Sequence, residues 1–332
     1  MRGTRVLGEE EGALVRKLFG IVALVAAVAA PGLFAQDYPN KSVRLIVPFP
    51  PGGANDVIGR LLGAGLSESM GKPFVIDNRG GANSIIGCDL TAKAAPDGYT
   101  ILIVPASHAI NPSLYDKLPY DSIHDFTPLS LIGNGAYVLV ANAQFPAHTA
   151  AELISLAKAK EVRFASAGVG NTTHLAGELF ALLAGIHMLH VPYKGGGPAV
   201  TDLIAGRVSI YFSTVALATP HMRGGRLKGI GVTTAKRVSS LPQVPTIAES
   251  GLPGYEVNGW YGLLAPARTP VPIVNRLNSE IRKALQNPEM REKLAALGVE
   301  AIGSTPAEFE KIIETDITKW TPVIKRLNIK MD

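Results

Sequence analysis

Apolar positions along the chain alternate between two spacings, and this alternation predicts strands followed by helices. At 42–47 the apolar residues repeat at strand spacing, and at 57–62 they repeat at helical spacing. Further strands are expected at 73–78, 99–104, 137–142, 188–193, 208–214 and 227–234, and further helices at 84–95, 150–159 and 198–205, with a strand, a Gly-rich loop and a helix across 162–185. This order predicts an α/β protein in which mainly parallel sheets are flanked by helices.

The pattern changes after residue 262, where amphipathic helices at 271–286, 288–297 and 306–328 follow one another without strands. Helices without a sheet of their own must pack on an existing one. We therefore expect a two-lobed architecture: lobe 1 from residues 37–136 plus 262–332, and lobe 2 from 137–261. Two crossing strands near 133–140 and 257–264 would form the hinge.

The N-terminus has the character of a targeting segment. Arg16-Lys17 precede an apolar run from Leu18 to Ala30, and the segment PGLFA follows and ends at the small residue Ala35. A basic start, a short apolar centre and a small residue before the cut are typical of a cleavable signal peptide, here predicted as residues 1–35. Three glutamates at 9–11 fit this pattern poorly, so translation starting at Val15 instead of Met1 is a second hypothesis. Either start predicts export to the periplasm.

Composition further narrows the class of protein to which the chain can belong. The 332 residues are 47% hydrophobic and 18% charged with a formal net charge of +5, which is typical of a globular protein and not of a disordered one. The chain has no long basic run, so no nucleic-acid partner is expected. Cys88 is the single cysteine, which excludes an intramolecular disulfide and predicts a small buried side chain.

Two strand-to-helix loops carry the candidate chemistry. The stretch VPFPPGGAND includes Phe49, Pro51, Gly52 and Gly53, and the stretch VRFASAGVGNTTHL includes Ser166, Gly168, Gly170, Thr172 and His174. Ligands bind beyond the carboxyl ends of parallel strands, where helix N-termini offer free N–H groups to anions. Each loop could also be only a tight turn, and Asp56 is better explained as a helix cap than as a ligand contact.

Enzyme motifs are incomplete throughout the chain. Phe164 stands where a nucleophile elbow at Ser166 would need glycine, and Thr173 stands where a dinucleotide fingerprint would need its third glycine. His187 and His190 flank a strand and are not expected to share a metal. A binding protein without cofactor or metal is therefore favoured over a hydrolase or isomerase on the same scaffold.

Several ordered motifs resemble one family. The segments YPNKSVRLIVPFPPGGANDVIGRLL, VIDNRGGANSIIG, PDGYTILIV, HAINPSLYDKLPYDSIHDFTPLSLI, VPYKGGGPAVTDLIAGRVSIYF and LPQVPTIAESGLPGYEVNGWYGLLAP are similar to those of the tripartite tricarboxylate transporter substrate-binding proteins, or Bug receptors. The resemblance covers nearly all of residues 37–330. It implies a type II periplasmic binding-protein fold and a small carboxylate held between the loops Phe49–Gly53 and Ser166–Thr173.

The resemblance also suggests partners and further ligand contacts. The receptor would deliver a mono- or dicarboxylate, aromatic or aliphatic, to the large and small membrane subunits of a transporter; an orphan receptor that signals to a membrane sensor is the alternative. A monomer suffices for capture. Further contacts are expected from Ser107, His108, Tyr193, Lys194, Phe212 and Ser213. Many relatives carry Asp in the SIYF segment, where this chain has serine, and this difference favours a ligand without an ammonium group.

Overall fold

A computed structural model describes residues 38–327 and 329–331. The predicted signal peptide and the alternative start at Val15 lie outside the described residues. The description that follows concerns the unit formed by residues 41–332. None of the helices in the described ranges is long and apolar enough to cross a membrane.

Helices and strands alternate through most of the chain. The strands are β1 (Val43–Val47), β2 (Phe74–Asn78), β3 (Thr100–Pro105), β4 (Phe126–Gly135), β5 (Tyr137–Asn142), β6 (Arg163–Ser166), β7 (Leu189–Pro192), β8 (Ile210–Thr214), β9 (Leu227–Val232), β10 (Gly259–Pro266) and β11 (Val299–Ala301). The helices are α1 (Ala54–Met70), α2 (Ile85–Ala92), α3 (Ser107–Leu114), α4 (Ala150–Ala159), α5 (Thr172–Ala184), α6 (Gly196–Ile204), α7 (Val215–Arg223), α8 (Val271–Gln286), α9 (Pro288–Ala296) and α10 (Pro306–Leu327), with a 3-10 turn at Ala82–Ser84.

The strands form two sheets flanked by helices. The first sheet has the order β11-β4-β10-β3-β1-β2, and the second has the order β7-β6-β8-β5-β9. The chain passes from the first sheet to the second at Ala136, between β4 and β5, and returns between β9 and β10. These passages lie where the sequence predicts the hinge; the lobe boundaries themselves stay a prediction.

Both sheets are mixed, which corrects the expectation of mainly parallel sheets. In the first, β1 pairs parallel with β2 and β3, whereas β10 pairs antiparallel with β3 and β4, and β11 pairs antiparallel with β4. In the second, β6 is parallel to β7 and β8, whereas β5 is antiparallel to β8 and β9. Four of these five antiparallel pairs involve β5 or β10, the strands by which the chain enters a sheet from the other one.

Two helices contribute to the cores of both sheets. Helix α10 places Phe309 and Ile313 in the apolar cluster of the first sheet, and Trp320 and Ile324 in a cluster of the second. Helix α3 likewise contributes Ala109 to the first cluster, and its Ile110 and Leu114 lie in the second. The C-terminal helix therefore does not simply return to the first sheet, as the helical pattern alone suggests.

Candidate functional site

A cavity of about 320 Å³ lies where several strands end. It is bordered by the segments that follow β1, β6, β7 and β8, and by Pro105 at the end of β3. The lining residues are Phe49–Asn55, Pro105, Tyr137, Ala167, Asn171–Thr173, Lys194–Pro198, Tyr211, Thr214, Leu217 and Tyr261. The carboxyl ends of strands are where open α/β sheets bind ligands, and this volume falls in the range of small-molecule pockets.

Four helices of the described chain begin at this cavity. The first residues of α1, α5 and α6 line it directly, as does Thr214, the N-cap of α7. A helix N-terminus carries unpaired N–H groups and the positive end of the helix dipole. Their convergence makes the cavity a favourable environment for an anion.

The Pro/Gly elbow before α1, Phe49–Gly53, is held against its own helix by Asp56. Gly52 adopts a φ of +85°, which favours glycine, and its N–H donates to Asp56 Oδ2 at 2.9 Å. Asn78 donates to Asp56 Oδ1 at 3.0 Å, and Arg60 forms an ion pair with the same carboxylate. Burial raises the pKa of Asp56, but the hydrogen bonds from Arg60, Gly52 and Asn78 outweigh it and leave the pKa below its usual value. Asp56 therefore holds the elbow in shape, as part of a helix cap would.

The neighbouring Asn55 carries an unpaired polar atom. Its side chain is buried at the rim of the cavity, and its Oδ1 has no hydrogen-bond partner in the described part of the chain. A buried carbonyl oxygen without a donor is unfavourable. The amide is thus available to a ligand donor or to an ordered water.

Most backbone N–H groups of the loop after β6 donate to acceptors within the loop itself. Six backbone N–H groups of residues 166–174 donate to acceptors within the same range, those of Ala167, Gly168, Gly170, Asn171, Thr173 and His174. The N–H groups of Gly168 and Gly170 already have acceptors within the loop and are not free for a ligand, although the sequence suggests these residues as ligand donors. A Cβ at Gly170, where φ is +72°, would lie 2.3 Å from Leu114 Cδ1, so this glycine serves the turn and its packing.

Two imidazoles support this loop from behind. His174 Nδ1 accepts from the Gly170 N–H at 3.1 Å, and His190 Nε2 lies 2.6 Å from Ser166 Oγ. Burial, reinforced by the charge of His174, lowers the pKa of His190 to about 3. Both rings therefore support the loop structurally. The lowered pKa of His190 means that its ring is neutral at physiological pH. Among the described residues, no three His, Cys, Asp or Glu side chains are grouped so as to hold a metal ion.

The predicted site residues divide into two groups. The structure brings Phe49, Pro51, Gly52, Gly53, Thr172 and Lys194 to the cavity. It places the others outside the lining: Asp56, Ser107, His108, Ser166, Gly168, Gly170, His174, Tyr193, Phe212 and Ser213.

Local contacts explain several of these outside positions. Phe212 is fully buried in the apolar cluster of the second sheet, and Ser213 Oγ donates to the carbonyl of Thr214. The Tyr193 hydroxyl donates to Asp202 at 2.9 Å, which directs the side chain toward α6 and leaves Lys194 as the polar residue of this segment at the rim.

His108 lies in the core instead of the cavity. It is fully buried, with Nε2 2.9 Å from the carbonyl oxygen of Ser122, and its ring packs against Tyr120 and Phe126. Burial lowers its pKa to about 4. Cys88 lies 3.7 Å from His108 Nδ1 and is buried, as the sequence predicts, and burial raises its pKa to about 12.

Sequence reasoning missed two features of the cavity. Neither the N-terminus of α6, Gly195–Gly197, nor the aromatic residues Tyr137, Tyr211 and Tyr261 are among the predicted site residues. The run of three glycines after a strand is the signal that could have identified the first.

A second cavity of about 670 Å³ is larger but chemically less suited to a small anion. It lies where the two sheets join, and its lining carries both acidic and basic side chains, including Lys236, Arg237, Glu256 and Arg291. No helix of the described chain begins there. The cavity at the strand ends is therefore the better candidate for binding a small anion.

Comparison with known proteins identifies the family. The model described as "Tripartite tricarboxylate transporter family receptor" matches residues 58–329. The protein BugT of Bordetella pertussis is 37% identical over 318 residues, which cover 95% of this chain and 97% of that protein. The chain therefore belongs to the tripartite tricarboxylate transporter receptor family.

Solved structures of similar proteins agree with the fold. "Structure of a periplasmic transporter" has a TM-score of 0.85 at 38% identity, covering 89% of this chain and 100% of that one. "R. palustris Rpa4515 with adipate" has a TM-score of 0.86 at 37% identity, covering 89% and 99%. "MatC (Rpa3494) from Rhodopseudomonas palustris with bound malate" has a TM-score of 0.81 at 32% identity, covering 86% and 100%.

Proposed function

We propose that this protein is a periplasmic receptor that captures a small carboxylate in the cavity at the strand ends and delivers it to a tripartite tricarboxylate-type permease. The observation that carries the proposal is the convergence of four helix N-termini on one cavity. Family membership supports the receptor role. The adipate and malate named for two similar structures support a carboxylate as the ligand.

The cavity favours an anion through fixed hydrogen-bond donors and not through a buried cation. Lys194 is exposed at the rim. N–H groups that point at a carboxylate form charge-assisted hydrogen bonds, which are about twice as strong as neutral ones. The binding step therefore requires no covalent chemistry and no cofactor.

Ligand capture would involve movement of the two sheets about the segments that join them. In two-lobed binding proteins, hinge closure around a ligand is driven by contacts made only in the closed state. Here the cavity is lined from the first sheet by Phe49–Asn55 and from the second by Asn171–Thr173 and Gly195–Gly197. A carboxylate that touches both sides would favour closure of lobe 1 (37–136 plus 262–332) on lobe 2 (137–261).

A thermal-shift screen tests the proposal. The chain from residue 36 onward, refolded to remove resident ligand, would be screened against mono-, di- and tricarboxylates, aromatic acids and acidic amino acids. A ligand at a hundredfold excess over its dissociation constant stabilises the native state by about 2.7 kcal/mol, so we expect a rise in melting temperature for at least one carboxylate class. No shift with any carboxylate would contradict the proposal.

A variant of the elbow makes this screen specific to the cavity. Gly52→Val introduces a side chain where φ is +85° and where the elbow lines the cavity. Gly71 has a similar φ of +67° but lies at the far end of α1, so Gly71→Val is the matched control. We expect Gly52→Val to abolish the ligand-induced shift and Gly71→Val to preserve it. An equal response in the two variants would argue against the elbow as a ligand contact.

A further inference from the structure

The two cavities share one wall, formed by the segments that join the sheets. The cavity at the strand ends has a tyrosine floor, made of Tyr137, Tyr211 and Tyr261. The second cavity, of about 670 Å³, is lined by residues 134–136 on one passage of the chain and by Glu256 and Asn258 on the other. A Cβ built at Gly135, in the second cavity, would lie 2.7 Å from Tyr261 Cε2. A single layer of residues therefore separates the two cavities.

The joining segments face one cavity on each side. Ala136 lines the second cavity, whereas the next residue, Tyr137, lines the cavity at the strand ends. Asn258 likewise lines the second cavity, and a Cβ at the next residue, Gly259, would lie 2.7 Å from Tyr137 Cε2. Successive residues of an extended segment point to opposite sides. The two cavities therefore lie on opposite sides of the segments about which the sheets would move.

Movement about this shared wall changes the two cavities in opposite directions. The outer walls of the second cavity come from different sheets: the loop after β9, residues 234–240, lies on one side, and residues of α9 and β11 lie on the other. In hinge motion a few residues between packed bodies absorb the rotation while the bodies keep their shape. Closure of the sheets around a carboxylate on one side of the shared wall therefore widens the second cavity on the other side.

The outer walls of the second cavity differ in charge. The charged residues that line this cavity are Lys236, Arg237, Glu256, Arg291, Glu292 and Glu300. The wall from the second sheet is basic, because its charged residues are Lys236 and Arg237. The wall from the first sheet carries two glutamates and one arginine, and it is therefore acidic on balance.

These opposite charges attract one another across the cavity and are not in contact. None of the ion pairs among the described residues joins the two outer walls, and Arg237 pairs with Glu249, which lies outside the lining. Lys236, Glu292 and Glu300 are exposed, so the attraction of any one pair is weak and is screened by salt. The attraction favours a narrow second cavity and, through the shared wall, a wide cavity at the strand ends.

We propose that the second cavity regulates carboxylate affinity from behind the hinge: attraction between its basic and acidic walls holds the empty receptor open, and ligand capture widens it. This inference rests on the proposed function, because it concerns the closure that captures the carboxylate. A change that widens the second cavity should raise the population of the closed conformation. The apparent affinity for a carboxylate increases with the population of the conformation that binds it.

A bulky side chain in the second cavity tests this coupling sterically. Ala295 is half-buried on α9 and lines the second cavity, whereas its neighbour Ala296 is exposed and lies outside the lining. Ala295→Trp should keep the outer walls apart, and in calorimetric titration it should bind adipate or malate about fivefold more tightly than the wild type. Ala296→Trp adds the same side chain to the same helix and should bind as the wild type does.

Charge reversal tests the attraction without adding bulk. Lys236→Glu places a negative charge opposite the acidic wall and should tighten adipate or malate binding about twofold to threefold. Lys160→Glu makes the same change of charge at an exposed position outside both cavities, and it measures the general effect of net charge on anion binding. The double variant Lys236→Glu with Glu300→Lys should return toward the wild-type affinity, and strictly additive effects would contradict attraction between the walls.

Small-angle X-ray scattering of the ligand-free chains separates this inference from the proposed function. We expect ligand-free Ala295→Trp to be more compact than the ligand-free wild type; if Ala295→Trp does not fold, Lys236→Glu is compared with Lys160→Glu instead. If the wild type binds adipate or malate but Ala295→Trp matches Ala296→Trp in affinity and compactness, the inference is overturned and the receptor role stays intact. If the wild type binds no carboxylate, the proposed function fails, and the scattering of the ligand-free variants still decides whether the second cavity controls the opening of the sheets.

Discussion

The imidazole of His190 stacks on that of His174, with ring centroids 3.8 Å apart and planes inclined by 17°. Through these two rings the loop after β6 is held at both ends, because His190 contacts Ser166 and His174 accepts from Gly170. Two stacked imidazoles do not tolerate two positive charges at this distance. The shape of the loop is therefore linked to the protonation state of His190.

Acid should destabilise the protein through His190. Its pKa of about 3 in the folded state lies below its ordinary value of 6.5, since burial and His174 disfavour the charge. Between these values the unfolded chain binds more protons, so stability rises with pH across this window and is lost as pH falls below about 6.5. The midpoint of guanidinium unfolding, measured from pH 7.5 to 4.5, should fall more steeply for the wild type than for His190→Phe.

Other groups also titrate in this range, and a control isolates the contribution of His190. His187 is exposed three residues earlier in the chain, so His187→Gln should retain the wild-type pH dependence. If His190→Phe and the wild type lose stability in parallel as pH falls, the histidine pair is not the acid-sensitive group.

Asp56 should matter for stability and, indirectly, for binding. Asp56→Ala removes the acceptor for the Gly52 N–H and for Asn78 Nδ2, at a buried position. Leaving such donors unpaired costs about 1–3 kcal/mol, and a loosened elbow should also weaken carboxylate affinity. Chemical denaturation and ligand titration of the same variant measure the two effects.

The surface pair of Glu289 and Lys293 has the same i,i+4 spacing as Asp56 and Arg60 but is solvent-exposed. Glu289→Ala should change stability by less than about 0.5 kcal/mol and leave affinity unchanged. A comparable loss in both variants would show that Asp56 contributes only as one member of an ordinary helix ion pair.

The elbow and its helix are the part of the site that local sequence predicts well. Strand spacing, the two prolines and two glycines, and helical spacing all fall within Val43–Leu62, so the junction and its place at a strand end follow from neighbouring residues. The helices at 150–159 and 271–286 are confirmed for the same reason.

The tyrosine floor could not be predicted in this way. Tyr137, Tyr211 and Tyr261 meet only because β5 pairs with β8 and because β10 inserts between β3 and β4. His108 shows the converse limit. Its place after β3 suggests the ligand edge, but α3 turns this side chain into the core between Tyr120 and Phe126. Which face of a short helix is buried depends on packing that the sequence does not show.

Asp316 should act on stability with the opposite sign to His190. Burial raises its pKa, although Trp260 Nε1 donates to its Oδ2 at 2.6 Å. The folded state therefore binds more protons than the unfolded chain above the ordinary pKa of 3.8, and the contribution of this group to stability falls as pH rises through that region. Asp316→Asn retains an acceptor for Trp260 without the charge. As pH rises from 4 to 7, the unfolding midpoint of this variant should therefore increase relative to that of the wild type.

Glu314 lies on the same helix and is exposed. Glu314→Gln should leave the unfolding midpoint and its pH dependence unchanged. A loss of stability in Asp316→Asn at pH 7 would mean that the ionised carboxylate is worth more to the Trp260 contact than its burial costs.

Gly262 allows α10 to pack on β10. A Cβ at this position would lie 2.0 Å from Phe309 Cζ, and Phe309 is fully buried. Overpacking of this kind typically costs about 1–3 kcal/mol, so Gly262→Ala should lower the unfolding midpoint by a corresponding amount. The double variant Gly262→Ala with Phe309→Leu should recover part of that loss, and strictly additive losses would contradict direct contact between these two residues.

The central claim is that a carboxylate binds among the helix N-termini at the strand ends. A crystal structure of the refolded chain, soaked with the tightest-binding carboxylate from the thermal-shift screen, tests it most directly. We predict carboxylate oxygens within hydrogen-bonding distance of the N–H groups at Gly53–Asn55, in the cavity that Thr172 and Tyr261 also line. A ligand seated in the second cavity, between Asn134–Ala136 and Gly298–Ala301, would contradict it.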